Sequence, residues 1–211
     1  YFPETKKLEV YSSVKINITE SGFSQIDYNL PLKKSRVFEE FYQSEIINYE
    51  TTSRSEEYQT PSILYICGGN SCNNGYFEDL VLWRHKQGYD VAVVPTSESG
   101  SSENAINNYI SNAYSTWQNP PEIVGLVGDV GGAYNIACDY YEWGSGWYSY
   151  EGASDVRYTY IEGNDFLPEV VIGRISADSS SDLNNIINKT IQYEKAVLQT
   201  DRGWFDRSGL I

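Results

Sequence analysis

The stretch SILYICGGNSCNNGYFEDLVLWRHKQGYDVAVVP, residues 62–95, decides the fold of this 211-residue chain. It begins with a short apolar run, SILYIC, which is typical of a fully buried strand. The segment FEDLVLWRHKQG has apolar residues at Phe77, Leu80 and Val81 and a stop signal at Gly88, so it predicts a helix. A second apolar run, YDVAVVP, comes next. The stretch therefore predicts a strand–helix–strand unit.

The same alternation continues along the chain. SSENAINNYISNAYSTW and SSSDLNNIINKTIQYEKAVLQ have the apolar spacing of amphipathic helices, and EIVGLVGD and EVVIGRIS are runs of the buried-strand type. Strands that alternate with helices predict an α/β fold with a mostly parallel sheet flanked by helices. Functional residues of such sheets collect where strands end, which points to Gly68, Gly69, Asp129 and the loop before Glu169.

Residues 1–60 have a different pattern. KLEVYSSVKINITE alternates apolar and polar residues, as a half-buried antiparallel strand does, and RVFEEFYQSEIINYE tends toward helix. The polar segment TTSRSEEYQTPS reads as an exposed connection. We therefore expect a short β-rich segment with a linker at 1–60 and the α/β subdomain at 61–211. The last residues, GWFDRSGLI, begin another predicted strand, so we expect the subdomain to be incomplete at its C-terminus.

The net negative charge of the chain limits the kinds of molecule that it is expected to bind. The chain has 29 acidic and 15 basic residues, a net charge of −14 and a pI near 4.4. Such a surface repels phosphate, which argues against binding to nucleic acid or to anionic membranes, and it suits divalent cations. No apolar run approaches the ~20 residues that a bilayer span needs.

Cys67 and Cys72 flank the loop in CGGNSC, and Cys138 is the third cysteine. The first two either form a local disulfide in an oxidising compartment, or Cys67 simply ends a buried strand as a small apolar residue. The only histidine, His85, falls in the interior of a predicted helix, between Arg84 and Lys86. We expect it to be a surface residue with no catalytic role.

The segment GNDFLPEVVIG contains the best candidate ligands for a metal ion. In an extended stretch, Asp165, the carbonyl group of Leu167 and Glu169 fall on one side, and Asp129 follows a neighbouring strand. Oxygen ligands of this kind suit calcium. Two alternatives stay open: a solvated acidic loop, or Asp165 as a turn former beside Gly163.

The segment DYYEWGSGWYSYEG, residues 139–152, is dense in tyrosine and tryptophan. Aromatic residues of this kind give large contact areas for a sugar or a peptide. The interpretation we favour from the sequence is a hairpin whose aromatic residues pack on its own scaffold.

Six motifs taken in order resemble the gingipain-type cysteine peptidases: LWRHKQGYDVAVV, AINNYISNAY, PPEIVGLVGD, SDVRY, GNDFLPEVVIGRIS and LNNIINKTIQYEK. The resemblance covers residues 62–211. It implies a caspase-like α/β fold with two side-by-side subdomains, of which residues 61–211 would be the first. Residues 1–60 resemble the end of the pro-segment that precedes the catalytic domain in that family, which implies a zymogen.

The resemblance also implies where the chemistry lies. The family's catalytic histidine and cysteine belong to the second subdomain, so we expect no catalytic residue in this chain. Asp129, Asp165, Leu167 and Glu169 fall where family members have calcium ligands. Gly163 stands where the family has its first acidic residue in that loop, which leaves one carboxylate fewer.

The function that follows is a part of a secreted or cell-surface cysteine endopeptidase. The chain would be its non-catalytic, structural and calcium-binding half. Its partners would be a protein or peptide substrate and the second subdomain, from the same precursor or as a processed chain. The alternative is a secreted binding module without catalytic activity, which holds a glycan or a peptide with its aromatic insertion.

Overall fold

The structure, a computed structural model, describes residues 35–46, 58–143 and 150–195, together with Ser13 and Lys15. From Ser35 onward these residues belong to one compact unit, Lys33–Ile211. Apart from Ser13 and Lys15, the strands predicted in KLEVYSSVKINITE and GWFDRSGLI lie outside the described residues, and the division at residue 60 stays a prediction. No described helix combines the length and apolar character that a membrane span requires.

The elements follow the predicted alternation, with two short helices in addition. The helices are α1 (Arg36–Glu45), α2 (Gly75–Lys86), α3 (Thr96–Ser99), α4 (Glu103–Thr116), a 3₁₀ helix (Val156–Thr159) and α5 (Ser180–Lys195). The strands are β1 (Ser62–Cys67), β2 (Asp90–Pro95), β3 (Ile123–Val127), β4 (Asp139–Trp143), β5 (Tyr150–Ser154) and β6 (Val171–Ile175). The sequence did not predict α3 or the 3₁₀ helix.

The main sheet confirms the predicted α/β class. Its four strands lie in the order β2-β1-β3-β6, and every neighbouring pair is parallel. All six residues of β1 are buried, whereas β2, at one edge, has a single buried residue. The continuous apolar run SILYIC thus takes the central position, because both of its faces are covered.

Helices cover the two faces of this sheet. Ile106, Ile110 and Ala113 of α4 pack with Leu64 and Leu126 on one face. On the other face, α2 and α5 supply a cluster of buried apolar residues that packs against β1 and β3: Phe77, Leu80, Leu183 and Ile187. The apolar stripes predicted for the three long helices are therefore the faces that build the core.

Helix ends follow the local sequence. Asn74 caps α2 by accepting a hydrogen bond from the backbone N–H of Tyr76, and Ser102 caps α4 by accepting one from Ala105. Gly88 has φ +93° two residues beyond the end of α2, a backbone conformation that favours glycine. The predicted stop of this helix is confirmed.

A buried polar cluster fastens the chain where β1 begins. The Ser62 hydroxyl donates to the Pro120 carbonyl at 2.6 Å and accepts from the backbone N–H of Glu122 at 3.0 Å. The Glu122 carboxylate accepts from the backbone N–H of Ser62, and the Gln59 amide donates to the Pro120 carbonyl. These contacts hold residues 59–62 against the amino end of β3.

A second polar cluster joins α2 to the last turn of α5. The Glu194 carboxylate accepts from Arg84 at 2.7 and 2.8 Å, from Trp83 Nε1 at 2.6 Å and from Gln87 at 3.1 Å. The Lys195 ammonium lies 4.6 Å from the centre of the Trp83 ring. The bidentate pair fixes the C-terminal ends of the two helices side by side.

Cys67 and Cys72 form a disulfide, with their Cα atoms 5.5 Å apart. Of the two alternatives that the sequence leaves open for Cys67 and Cys72, the structure confirms the local disulfide. Cys138 is free and buried.

Candidate functional site

The carboxyl end of the main sheet, where open α/β sheets usually bind ligands, is filled by the chain itself. Residues 130–138, which we call the edge segment, fold back over the ends of β1 and β3. A Cβ atom on Gly68 would lie 2.1 Å from the Tyr134 carbonyl oxygen, so only glycine permits this approach. Tyr134 and Ile136 are buried there. At this strand end, where we expect functional residues, Gly68 allows close backbone packing.

Two side chains clamp the edge segment. The Asp178 carboxylate accepts hydrogen bonds from the backbone N–H groups of Ala133, at 2.5 Å, and Tyr134, at 3.3 Å. The Arg174 guanidinium donates to the carbonyl oxygens of Gly128, Ile136 and Ala137 at 3.1–3.2 Å. Those polar contacts secure both halves of the segment.

Arg174 also forms a bidentate ion pair with Asp155, at 2.6 and 2.8 Å. Burial alone would lower the pKa of Arg174, but the hydrogen bonds with Asp155 raise it above its ordinary value. The pair joins β6 to the residue before the 3₁₀ helix. Asp155 is therefore occupied as a structural ion-pair partner rather than exposed for acid–base chemistry.

Asp129 lies at the carboxyl end of β3, as predicted. Its carboxylate accepts a hydrogen bond from the backbone N–H of Val130 at 2.8 Å, and its carbonyl oxygen accepts one from Ile136 at 2.9 Å. These contacts start the turn that sends the edge segment back over the sheet.

Asp165 and Glu169 lie at the other end of the sheet, because they precede β6. Glu169 Oε2 accepts from the backbone N–H groups of Ile161, at 2.7 Å, and Glu162, at 3.3 Å. Asp165 Oδ1 accepts from the backbone N–H of Leu167 at 2.9 Å. The two carboxylates thereby fold residues 161–169 into a compact acidic loop.

The register of β3 with β6 keeps Asp129 apart from this loop. Ile123 pairs with Val171 and Val127 with Ile175, so a five-residue strand separates the two ends. That length is about 16 Å, whereas calcium–oxygen distances are about 2.4 Å. The structure brings Asp165, Leu167 and Glu169 into one loop and does not bring Asp129 to it.

The acidic loop has the donor chemistry of a hard-cation site. It offers the two carboxylates of Asp165 and Glu169, and Leu167 between them is 69% exposed. No group of three or more acidic, histidine or cysteine side chains among the described residues is arranged to hold a metal ion. Any cation here would therefore need backbone carbonyl groups and water to complete its shell.

The loop lies beside α4. Burial and the nearby carboxylates of Glu162 and Glu169 raise the pKa of Tyr114, on α4, to about 12. The burial of the Tyr114 side chain and the nearby negative charge both disfavour its ionised form.

His85 lies on α2, and its Nδ1 is 3.2 Å from the Tyr89 carbonyl oxygen. It borders an apolar groove of about 290 Å³ that Cys72 also lines. Because the Cys72 sulfur is bonded to Cys67, this groove holds no free thiol beside the histidine. The expectation that His85 is a helix surface residue is confirmed.

The aromatic insertion forms an antiparallel ribbon, β4–β5, separate from the main sheet. The predicted hairpin is confirmed. Tyr140 and Tyr141 are 50% and 42% exposed, although they point to opposite faces of β4. The expectation that the aromatic residues of the insertion pack on its own scaffold stays a prediction.

Comparison with known sequences identifies the family. The profile of Peptidase family C25 matches residues 56–211, about three quarters of the chain. This chain belongs to peptidase family C25. Among the described elements, a match of that extent includes the six strands and all the helices except α1.

Relatives of this C25 chain are proteins of Porphyromonas gingivalis. Gingipain R2 is 29% identical over 208 residues, which are 96% of this chain and 26% of that protein. Gingipain R1 is 30% identical over 96% of this chain and 20% of its own length, and Lys-gingipain is 24% identical over 97% and 12%. The chain therefore spans about a quarter or less of these relatives.

A solved structure supports the fold. The crystal structure of the Arg-specific cysteine proteinase gingipain R superposes with a TM-score of 0.51 and 29% identity, over 67% of this chain and 30% of that one. The gingipain-type resemblance of the sequence and the parallel sheet with flanking helices are both confirmed.

The sequence did not predict that Asp178 and Arg174 hold the edge segment in place. Asp155 and Arg174 lie within the motifs SDVRY and GNDFLPEVVIGRIS, but nothing in these motifs shows that the two residues form an ion pair. Asp178 was not singled out at all. The segment VGGA could have indicated a tight turn, because Gly131 and Gly132 both have positive φ values. A turn of this kind leaves backbone N–H groups that need a hydrogen-bond acceptor, which Asp178 supplies.

Proposed function

We propose that this chain is the first α/β subdomain of a longer, exported cysteine endopeptidase, with a structural and calcium-binding role rather than a catalytic one. The match of residues 56–211 to Peptidase family C25 is the observation that carries the proposal. The limited share of the gingipain relatives that the chain spans supports its being one part of such an enzyme. Its substrates would be proteins or peptides, and its partner the second subdomain.

The state of the thiols and the histidine supports a non-catalytic role. A cysteine peptidase needs a thiolate that attacks the peptide carbonyl and a histidine that takes and returns the proton. Here Cys67 and Cys72 are bonded to each other, Cys138 is buried, and His85 lies on a helix surface. We propose that the nucleophile and its histidine come from the second subdomain.

Assays of the purified 211-residue chain with a mixture of fluorogenic peptides test this assignment. We expect no hydrolysis above the background, whereas the longer protein should hydrolyse the same peptides and lose that activity on alkylation of its thiols. Hydrolysis by the 211-residue chain that disappears in Cys138→Ala would contradict the proposal.

The disulfide supports export. Disulfides persist in oxidising compartments and are rare where glutathione and thioredoxin keep thiols reduced. The Cys67–Cys72 bond therefore fits a secreted or cell-surface protein. Fractionation of the source cells should find the protein outside the cytoplasm, and recovery of a fully reduced cytoplasmic form would contradict this part of the proposal.

We propose that residues 1–60 belong to a pro-segment. The start of the C25 match at residue 56 agrees with a boundary there. If the mature protein is isolated, N-terminal sequencing should find a new terminus close to that boundary. A mature protein that retains Tyr1 would contradict this assignment.

We propose that calcium binds the acidic loop through the carboxylates of Asp165 and Glu169 and the carbonyl oxygen of Leu167. Bound calcium would neutralise the loop and fix its conformation, because paired carboxylates without a cation repel each other. Asp129, which the sequence also predicts as a ligand, is not part of this proposed site, since β3 and β6 hold it at the opposite end of the sheet.

Thermal melting tests the calcium proposal. We expect EDTA to lower Tm and added calcium to restore it. The response should vanish in Asp165→Asn with Glu169→Gln, because these amides keep hydrogen-bond acceptors for the loop N–H groups but lose the charges. Asp129→Asn is the matched control and should retain the response. An unchanged Tm after chelation would contradict calcium binding to the acidic loop.

Limited proteolysis gives a second readout. Without calcium, we expect faster cleavage between Val130 and Pro168, because the acidic loop loses the cation that holds it. Equal cleavage rates with calcium and with EDTA would contradict a structural role for the ion.

A further inference from the structure

The outer edge of the main sheet at β2 is open among the described residues. β2 pairs with β1 on one side, and no described strand pairs with it on the other. Only Val94 of its six residues is buried, and Val93 is 37% exposed. An apolar edge strand offers unpaired backbone N–H and C=O groups to a further strand, so proteins usually cover or charge such an edge. The single charged residue of β2 is Asp90, at its first position, which leaves the rest of the edge unprotected.

An apolar groove runs along this edge between β2 and α2. It is the groove that His85 borders, and its lining includes Val81 and Leu82 of α2 and Val93 of β2. Leu82 is 52% exposed, whereas Phe77 on the same helix is 1% exposed. α2 therefore buries one stripe in the core and presents Leu82 beside the open edge. We call the outer edge of β2, this groove and the exposed face of α2 the β2–α2 surface.

The charges on this surface are arranged symmetrically about Leu82. Glu78 lies four residues before Leu82 and Lys86 four residues after it, so the three side chains form one row along α2. About 12 Å of helix separates Glu78 from Lys86, which is too far for an ion pair within one chain. No described residue forms an ion pair with either of them. If two α2 helices lie antiparallel with their Leu82 side chains in contact, Glu78 of each faces Lys86 of the other.

The strand and the helix of this surface fit the same symmetry. A two-fold axis perpendicular to the sheet makes two β2 strands antiparallel and keeps both α2 helices, also antiparallel, on one face. α2 is about 18 Å long and β2 about 20 Å, so the strand contact and the helix contact extend over similar lengths. The antiparallel strand pair places Asp90 near Pro95 of the second copy, so no like charges are opposed. Pro95, which has no N–H to donate, lies at the end of the strand, where its effect on pairing is small.

We propose that the β2–α2 surface is a two-fold interface between two copies of this chain, in which the main sheet continues from one copy into the other. The charge complementarity of Glu78 and Lys86 selects a second copy over a partner segment of uniform charge. Leu82 and its counterpart form the apolar centre of the interface, and the ion pairs form its rim. The inference does not rest on the peptidase assignment, because it uses only β2, α2 and the groove between them.

Sedimentation velocity of the full 211-residue chain at several concentrations, in about 0.15 M salt, tests the proposal. We expect a concentration-dependent species of twice the 23.9 kDa of the chain. Leu82→Glu should weaken the dimer by roughly tenfold or more, because it sets two carboxylates against each other at the two-fold axis. Phe41→Glu is the matched control. It makes a similar change at a residue that is 56% exposed on α1, and it should leave dimerisation unchanged.

Charge reversal separates the proposed ion pairs from an effect of net charge. Glu78→Lys and Lys86→Glu should each weaken the dimer by roughly fivefold to tenfold, and the two changes together should restore it. If net charge alone governed association, Glu78→Lys would strengthen the dimer, because it makes the chain less negative. The double exchange is unfavourable for the dipole of α2, so a restored dimer cannot result from a more stable helix. Thermal melting confirms that each variant is folded.

Hydrogen exchange tests the pairing of the two β2 strands. Backbone amides of β2 should exchange more slowly at concentrations where the dimer forms. Leu82→Glu should abolish this dependence on concentration, and Phe41→Glu should retain it.

Three outcomes would overturn the proposal. A chain that stays monomeric up to roughly 1 mM would show that the β2–α2 surface does not pair with itself. A dimer that Leu82→Glu and Phe41→Glu weaken equally, or that neither weakens, would show that the interface is not centred on Leu82. A monomeric chain whose β2 amides are protected only by an added peptide of alternating valine and threonine would make this edge a site for an extended segment of another protein.

Discussion

Single residues decide how the outer elements of this fold are held together. Glu194 is the clearest case, because four hydrogen bonds from α2 converge on its carboxylate. Burial alone would raise the pKa of Glu194, but the hydrogen bonds from Arg84, Trp83 and Gln87 lower it below its ordinary value of 4.5. A carboxylate with a depressed pKa stabilises the folded state wherever it is ionised.

Glu194→Gln should lower Tm at pH 7, and the difference from the original chain should shrink under acid conditions. The stabilisation is fully present above the unfolded pKa of 4.5 and is lost as the pH falls through the lower folded value. Melting curves between pH 7 and pH 3 measure the difference. Glu78→Gln, which removes a carboxylate from α2, serves as control, and a gap that stays constant across this range would contradict the assignment.

Gly68 is the second decisive residue. Gly68→Ala should destabilise the fold by about 1–3 kcal/mol or more, since its Cβ would meet the Tyr134 carbonyl oxygen at 2.1 Å and the backbone there has to move. Gly75→Ala is the matched control. Its Cβ meets nothing within 4 Å at the start of α2, so it should be neutral or slightly stabilising. Denaturant titration compares the two, and equal stabilities would refute the packing argument.

At the scale of elements, the disulfide ties the end of β1 to the loop that leads into α2. A loop this short gains about 2 kcal/mol in the chain-entropy description. Reduction should therefore lower Tm, and Cys67→Ala with Cys72→Ala should melt at the same temperature with and without reductant.

Thiol counting checks the connectivity independently. Unfolded, unreduced protein should react at one thiol, that of Cys138, and reduced protein at all three. Labelling of three thiols before reduction, in protein purified without reductant, would contradict the bond.

For the whole molecule, the net charge of −14 sets the response to salt. Like charges repel across the folded surface, and raising ionic strength from about 0.01 M to 0.15 M shortens the screening length from about 30 Å to about 8 Å. Tm should therefore rise with sodium chloride over this range. Sucrose, which adds no ions, separates charge screening from general co-solute effects, and a Tm that falls with salt would show that ion pairs such as Arg84–Glu194 outweigh the repulsion.

The fold could be predicted well from the sequence, because apolar periodicity reports which faces are buried. SILYIC and EIVGLVGD became the two central strands, and the stripes containing Phe77, Ile106 and Leu183 became the core faces of α2, α4 and α5. Strand order does not follow from periodicity. It depends on how each crossover packs.

The candidate site could be predicted only in part. Asp165, Leu167 and Glu169 share one loop, so local spacing was enough to group them. Asp129 follows a neighbouring strand in the sequence, and only the register of β3 against β6 shows that it lies at the other end of the sheet. The contacts of Arg174 and Glu194 join residues up to 111 positions apart, which no local pattern reports.

The link between α2 and α5 has a consequence for synthesis on the ribosome. Glu194 is made 110 residues after Arg84, and 67 residues after the end of β3 at Val127. At about 5–20 residues per second, those 67 residues take roughly 3–13 seconds to make. During that interval the growing chain already has β1, β2 and β3, but the apolar face that α5 later covers is open to water. A chaperone that binds nascent chains would find its target in that window, on Tyr65, Phe77 and Leu80.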